Sequence, residues 1–147
     1  MAIVIFSCAD VDSPWGGYAD LQFLGTGWFR HVAAMTVSAF EQASSPTADG
    51  QIVFDPEWMQ GRGIYGGVPA AAMVRQMTRT LDRSECILRS LTVHFCSPIA
   101  PVESRVTAEA VRIGRSVAHM RSEVHQEGKV VTYGTASFAA SRDVDLR

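Results

Sequence analysis

One apolar helical run set among long alternating segments limits this chain more than any other feature. From Val68 to about Asp82, residues Ala70, Met73, Met77 and Leu81 recur at spacings of three and four, while Arg75, Arg79, Asp82 and Arg83 lie mostly on the other side. Pro69 fits the first turn, where its missing N–H costs nothing. Strands are predicted over Cys86–Cys96, Val102–Ile113, Arg115–Gln126 and Lys129–Ala140. In the first, Ile87, Leu91, Val93 and Phe95 oppose Ser90, Thr92 and His94. In the last, Val131, Tyr133 and Thr135 oppose Val130, Thr132, Ala136 and Phe138. Ser97–Pro101 reads as a two-proline turn and Glu127-Gly128 as a hairpin turn. One helix cannot cover both faces of such a sheet. It must lie along one face with the sheet curling around it, and the other face then calls for cover by association. An α+β fold and an oligomer are expected.

The N-terminal part is less regular. Thr36–Gln42 reads as a first strand, with Val37 and Ala39 set against Ser38 and Phe40. A turn-rich segment, Ala43–Gly50, leads to a short strand over Gln51–Asp55 and a loop over Pro56–Gly63. Before Met35 the texture is mixed, with Ile3–Phe6 as a short strand and aromatics such as Trp15, Phe23 and Trp28 between glycines. The expected organisation is an N-terminal extension over 1–35, a single domain over 36–141 and a polar tail over 142–147. Two readings of the extension stand: Met35 is the natural start, or the aromatics dock on the domain as a lid or dimer contact.

Composition narrows the function. A chain of 147 residues fits one domain. A net charge of -2 gives no field that would gather nucleic acid. No apolar stretch is long enough for membrane insertion, and no basic region precedes the apolar start before Asp10 and Asp12, so a cytoplasmic protein is expected. Cys8, Cys86 and Cys96 have no metal spacing and fit a reducing compartment as buried free thiols. The histidines do not group with cysteines or carboxylates, so neither a metal nor a cofactor is expected. Lys129 is the sole lysine among many arginines, which suits phosphate recognition or a G- and C-rich genome.

The stretch Gly61-Arg62-Gly63-Ile64-Tyr65-Gly66-Gly67-Val68 before an alanine-rich helix resembles the helix entry of hotdog-fold thioesterases. Ser90-Leu91-Thr92-Val93-His94-Phe95 ending at Ser97-Pro98 is similar to their central strand. Gly114-Arg115-Ser116-Val117, and Gln126-Glu127-Gly128 followed by Ala136-Ser137-Phe138, continue the pattern. Together these resemble the first hotdog repeat of the acyl-CoA thioesterase II family, and also the smaller phenylacetyl-CoA-type thioesterases. The resemblance implies a curled antiparallel sheet wrapped around one long central helix. It also implies an acyl-CoA ligand, thioester hydrolysis and a homodimer or higher homo-oligomer. A non-catalytic acyl-CoA-binding or subunit-pairing domain is the alternative.

Several residues are candidates for the site. The backbone amides at Gly66 and Gly67 open the helix, where unpaired N–H groups and a partial positive charge would polarise a thioester carbonyl and stabilise its oxyanion. Glycine there either lets a ligand approach or simply makes a tight turn. Tyr65 and Arg62 flank the same entry. Arg115 and Ser116 after Gly114 either hold phosphate or the pantetheine arm, or form a solvated hairpin corner. His94 is a candidate general base, or a partly buried strand residue or subunit contact. Gln76 is a further polar candidate for the catalytic step. The helix from Val68 to Leu81 holds no carboxylate, although many hotdog thioesterases carry one there. The positions that resemble the family's Asp, Thr or Ser, and Gln set are Val74, Leu88 and Ala136.

Overall fold

The computed structural model describes residues 3–7 and 37–140. Strand β1 (Ile3–Ser7) is followed, from residue 37, by helix α1 (Val37–Ala43) and strand β2 (Gln51–Val53). A 3-10 turn at Pro56–Trp58 leads into the short hairpin of β3 (Met59–Gln60) and β4 (Gly63–Ile64). Helix α2 (Gly67–Leu81) then precedes the strands β5 (Cys86–Phe95), β6 (Glu103–Ile113), β7 (Val117–Gln126) and β8 (Lys129–Ala140). The large sheet is antiparallel, in the order β1-β5-β8-β7-β6-β2. It wraps around α2 in the hotdog arrangement expected of one long helix among strands. The N-terminal extension beyond β1, including Met35, His31 and Cys8, and the tail over 142–147 lie outside the described residues.

The core lies between α2 and the concave face of the sheet. Val68, Met73, Met77 and Leu81 supply the helix side, while Met120, Val124 and Phe138 meet them from the sheet. Each such side chain contributes about 1.5–3 kcal/mol by leaving water. Close approach of the two layers is set at Gly134 on β8. A Cβ there would lie 2.6 Å from Thr92 O and 3.0 Å from Met73 Cε. Helix α2 stops at Asp82, which takes a left-handed conformation (φ 48) and donates its N–H to Thr78 O.

Several expectations need correction. Residues 37–43 form a helix, not the strand expected over Thr36–Gln42. Val37, Phe40 and Ala43 fall at a helical spacing of three, while Val37 and Ala39 alternate, and a run this short does not separate the two periods. Tertiary contacts favour the helix. Phe40 meets Trp58 edge-on with ring centroids 5.5 Å apart. Arg75 on α2 donates to Ser44 Oγ at 3.3 Å and pairs with Glu41 at 3.6 Å.

The loop expected over Pro56–Gly63 holds the 3-10 turn and the β3–β4 hairpin. Asp55 caps that turn by accepting from the Glu57 amide at 2.8 Å. Irregularities in register also move side chains between faces. One between Leu88 and Ser90 turns Ile87 outward and leaves Cys86 buried. Another, between Val124 and His125, makes Val131 an extra residue on β8. Val131 and Thr132 are therefore both buried, while Val130 is exposed. Cys86 is a buried free thiol as expected, but Cys96 lies past the end of β5 and is exposed.

Candidate functional site

A groove of about 640 Å³ opens at the N-terminus of α2, a volume within the range of small-molecule sites. One wall is the continuous stretch that leads into the helix, and it includes Arg62, Tyr65, Gly66 and Gly67. The facing wall is the end of β5 and the loop after it, Val93 and then Phe95 to Ile99. The local sequence explains the first wall. Gly61 takes a left-handed conformation (φ 67), which closes the β3–β4 hairpin and turns the chain back toward the helix. Tyr65 N–H then donates to Trp58 O at 2.8 Å, and the next two residues are glycines.

Those glycines leave little space unfilled. A Cβ on Gly66 would lie 2.9 Å from Phe95 Cζ, and one on Gly67 would lie 2.5 Å from Tyr65 Cε1. In the first turn, Val68 N–H donates to Tyr65 O at 3.0 Å and Ala70 N–H to Gly66 O at 3.2 Å, while Pro69 has no N–H. Among the described residues, the Gly66 and Gly67 amides take no backbone acceptor. No side chain among the described residues caps the helix, and its first turn carries no acidic residue. The partial positive charge of the helix end therefore faces the groove. Arg62 adds a full charge at the same place. This arrangement can hold a carbonyl oxygen or an anion.

The structure thus brings four of the predicted site residues together: Arg62, Tyr65, Gly66 and Gly67. It separates the other four from them within one chain. Gln76 is buried nine residues along α2, about 13 Å from Gly67 at helical rise, with its Oε1 accepting from Arg79 at 2.9 Å. His94 projects to the other side of β5 from Val93 and Phe95. It stacks on its cross-strand neighbour Tyr133 with centroids 4.6 Å apart. Arg115 and Ser116 do not begin the strand; they form the β6–β7 turn with Gly114. That turn is held by Arg83, just beyond the C-terminal end of α2, which donates to Gly114 O at 3.1 Å and Arg115 O at 3.4 Å. A helix of this length spans about 22 Å, so the turn lies at the far end of it from Gly67.

The facing wall was not singled out from the sequence, although the Ser97-Pro98 turn marked its position. Its ionisable member is Cys96; Arg62 and Tyr65 are those of the first wall, and no carboxylate or imidazole among the described residues lines the groove. The groups with shifted titration lie elsewhere. Asp49 is held below the ordinary carboxylate range by the Thr47 hydroxyl and then by its own backbone amide. Glu85 is lowered by its own amide and then by Arg83, and Arg83 is raised mainly by Glu85. Among the described residues, no group of histidine, cysteine and carboxylate side chains could hold a metal ion. No helix there is long and apolar enough to cross a membrane.

The family model for the acyl-CoA thioesterase N-terminal domain matches residues 54–139, more than half of the chain. No curated protein matches it. Among solved structures, a hotdog-fold protein of unknown function from Alicyclobacillus acidocaldarius is 28% identical with a TM-score of 0.62, over 74% of this chain and 42% of its own. A protein from Thermobifida fusca that bears a thioesterase II designation is 20% identical with a TM-score of 0.60, over 74% of this chain and 41% of its own. This chain therefore spans about two-fifths of each. A Bacillus halodurans protein crystallised with CoA is 16% identical with a TM-score of 0.63, over 77% of this chain and 84% of its own.

Proposed function

Since the chain belongs to the acyl-CoA thioesterase N-terminal domain family, we propose that its 36–141 domain binds an acyl-CoA thioester at the N-terminus of α2 and hydrolyses it to a free acid and CoA. The observation that carries this reading is the pair of amides at Gly66 and Gly67, without a backbone acceptor among the described residues and set in one wall of a groove beside Arg62 and Tyr65. The thioester carbonyl accepts from these amides. Water attacks the carbonyl carbon, and the charge that develops on oxygen is stabilised by the two N–H groups and the helix end. The C–S bond then breaks and CoA leaves as its thiol. Arg62 serves an anionic part of the ligand. The crystallisation of a structural relative with CoA fits this ligand class.

A homodimer or higher homo-oligomer belongs to the same proposal. In one chain His94 and Arg115-Ser116 stand away from the groove, so any part they take in binding or in activating water would require a second subunit facing it. The alternative reading is a non-catalytic acyl-CoA-binding or subunit-pairing domain. It is favoured by a specific observation: among the described residues no carboxylate or imidazole lines the groove, and α2 has no acidic residue. A thiol-release assay over acyl-CoAs of graded chain length, run with a direct binding measurement, decides between them. Release from at least one acyl-CoA is the expected result. Binding without release selects the alternative, and neither binding nor release refutes both.

A further inference from the structure

The loop that forms the second wall of the groove is held by a side chain outside the groove's first wall and its helix. Gln126, at the end of β7, is buried, and both ends of its amide are used. Its Oε1 accepts from Ala100 N–H at 3.1 Å, and its Nε2 donates to Ala100 O at 2.9 Å and to Ser104 Oγ at 2.8 Å. The other end of the same loop is fixed where Cys96 and Ser97 both donate their N–H to Val131 O, at 2.9 and 3.2 Å. Val131 lies one place beyond the Phe95–Thr132 pair, so its carbonyl carries the β5–β8 ladder past the end of β5. Between these two anchors the loop presses on the helix entry. Ile64 N–H donates to Ile99 O at 2.9 Å. A Cβ on Gly63 would lie 3.1 Å from Ile99 N and 3.2 Å from Pro98 Cβ. Three and four residues after Gly63 come the Gly66 and Gly67 amides.

We propose that Gln126 is a positioning residue for the carbonyl-binding amides. It clamps Ala100 so that Ile99 O fixes Ile64, and Ile64 in turn fixes where Gly66 and Gly67 point. A buried amide with all of these bonds made resists displacement, because leaving Ala100 N–H and O unpaired costs more than the bonds gain over water. The inference rests on the proposed site at Gly66 and Gly67.

The test is Gln126→Met, which keeps the volume and removes the three hydrogen bonds. Ser122→Ala is the control, since it removes a buried hydrogen bond from the same strand to Thr107 O. The first readout needs no substrate. Amide exchange at Ile64 rises about tenfold in Gln126→Met and stays unchanged in Ser122→Ala. The second readout is kinetic: kcat falls about ten- to a hundredfold with KM unchanged in Gln126→Met alone, as expected when geometry at the reacting carbonyl is lost. If Gln126→Met does not fold, Ser104→Ala, which removes one of the three bonds, takes its place, and faster exchange at Ile64 is again expected. Unchanged exchange at Ile64 in the folded variant overturns the inference whatever the activity. Absence of turnover in the unmodified protein overturns the thioesterase reading and leaves the exchange result standing.

Discussion

Gly67→Ala separates binding from stability at the proposed site. The new Cβ would lie 2.5 Å from Tyr65 Cε1 and 3.1 Å from Cζ, well inside ordinary contact. The obstacle is one edge of a ring that is 48% exposed, so the ring can move by about 1 Å into solvent at a cost of roughly 0.5–1.5 kcal/mol. Against this, alanine gains about 0.5–1 kcal/mol over glycine in a helix, so the two effects nearly cancel. The melting temperature should therefore stay within about 4 °C of the parent's. Affinity and turnover should not stay the same. The methyl group and the displaced Tyr65 ring both stand at the amides that receive the carbonyl, and losing one such donor interaction costs about 2.7–4 kcal/mol, or a hundred- to a thousandfold. Thermal melts together with kcat/KM from thiol release check both halves. An unchanged kcat/KM in a variant that melts normally would refute the placement of the carbonyl at Gly67.

Three further outcomes are expected. Thr132 Oγ1 is fully buried with no hydrogen-bond partner among the described residues, so Thr132→Val, which keeps the shape and removes the hydroxyl, should raise stability by about 1–3 kcal/mol in urea melts; a loss would mean that the hydroxyl is engaged. Gly134→Ala should destabilise by about 1–3 kcal/mol, because the added Cβ meets the backbone at Thr92 O and the end of Met73, and an unchanged midpoint would contradict the close packing of α2 on β8. The carboxyl of Asp49 is lowered by the Thr47 hydroxyl and its own amide. A lowered folded-state value contributes stability that is present above the unfolded value and is lost as pH falls through the folded one. The stability gap between the parent and Asp49→Asn should accordingly be present at neutral pH and close as pH falls below the ordinary value of 3.8; a gap that persists in acid would contradict it.

The parts of the fold that could be read from the sequence are those with long, uninterrupted periods. Strands β5 to β8 run for ten to twelve residues and α2 for fifteen, so their alternation and 3.6-residue period outlast local exceptions. Helix α1 has seven residues and is fixed by Phe40 on Trp58 and by Arg75 on Glu41 and Ser44, contacts made across the fold that no local pattern carries. The irregularities near Arg89 and Val131 are likewise invisible in sequence, yet each exchanges the faces of its neighbours, which explains Ile87 and Val130. The site divides in the same way. Arg62, Tyr65, Gly66 and Gly67 lie within six consecutive residues, so a local reading places them together. Gln76, His94, Arg115 and Ser116 depend on which face and which end of the sheet they occupy, and that is set by register.

What the groove contains bears on how fast it can work. Among the described residues its electrostatic features all favour negative charge on a ligand: two amides without a backbone acceptor, an uncapped helix end and Arg62, with no carboxylate opposing them. That arrangement suits the oxyanion of a tetrahedral intermediate. Among the described residues it offers no carboxylate or imidazole within a single chain to take a proton from water, since His94 faces away and Gln76 is tied to Arg79. Where a general base is removed from an enzyme that keeps its oxyanion site, an acceleration of about 10³–10⁴ over water remains. A chain acting alone should therefore hydrolyse thioesters slowly, with a rate that follows bulk hydroxide and rises steadily with pH. A bell-shaped profile would instead place a base in the groove, and a specific rate that increases with protein concentration would bring it from a second subunit.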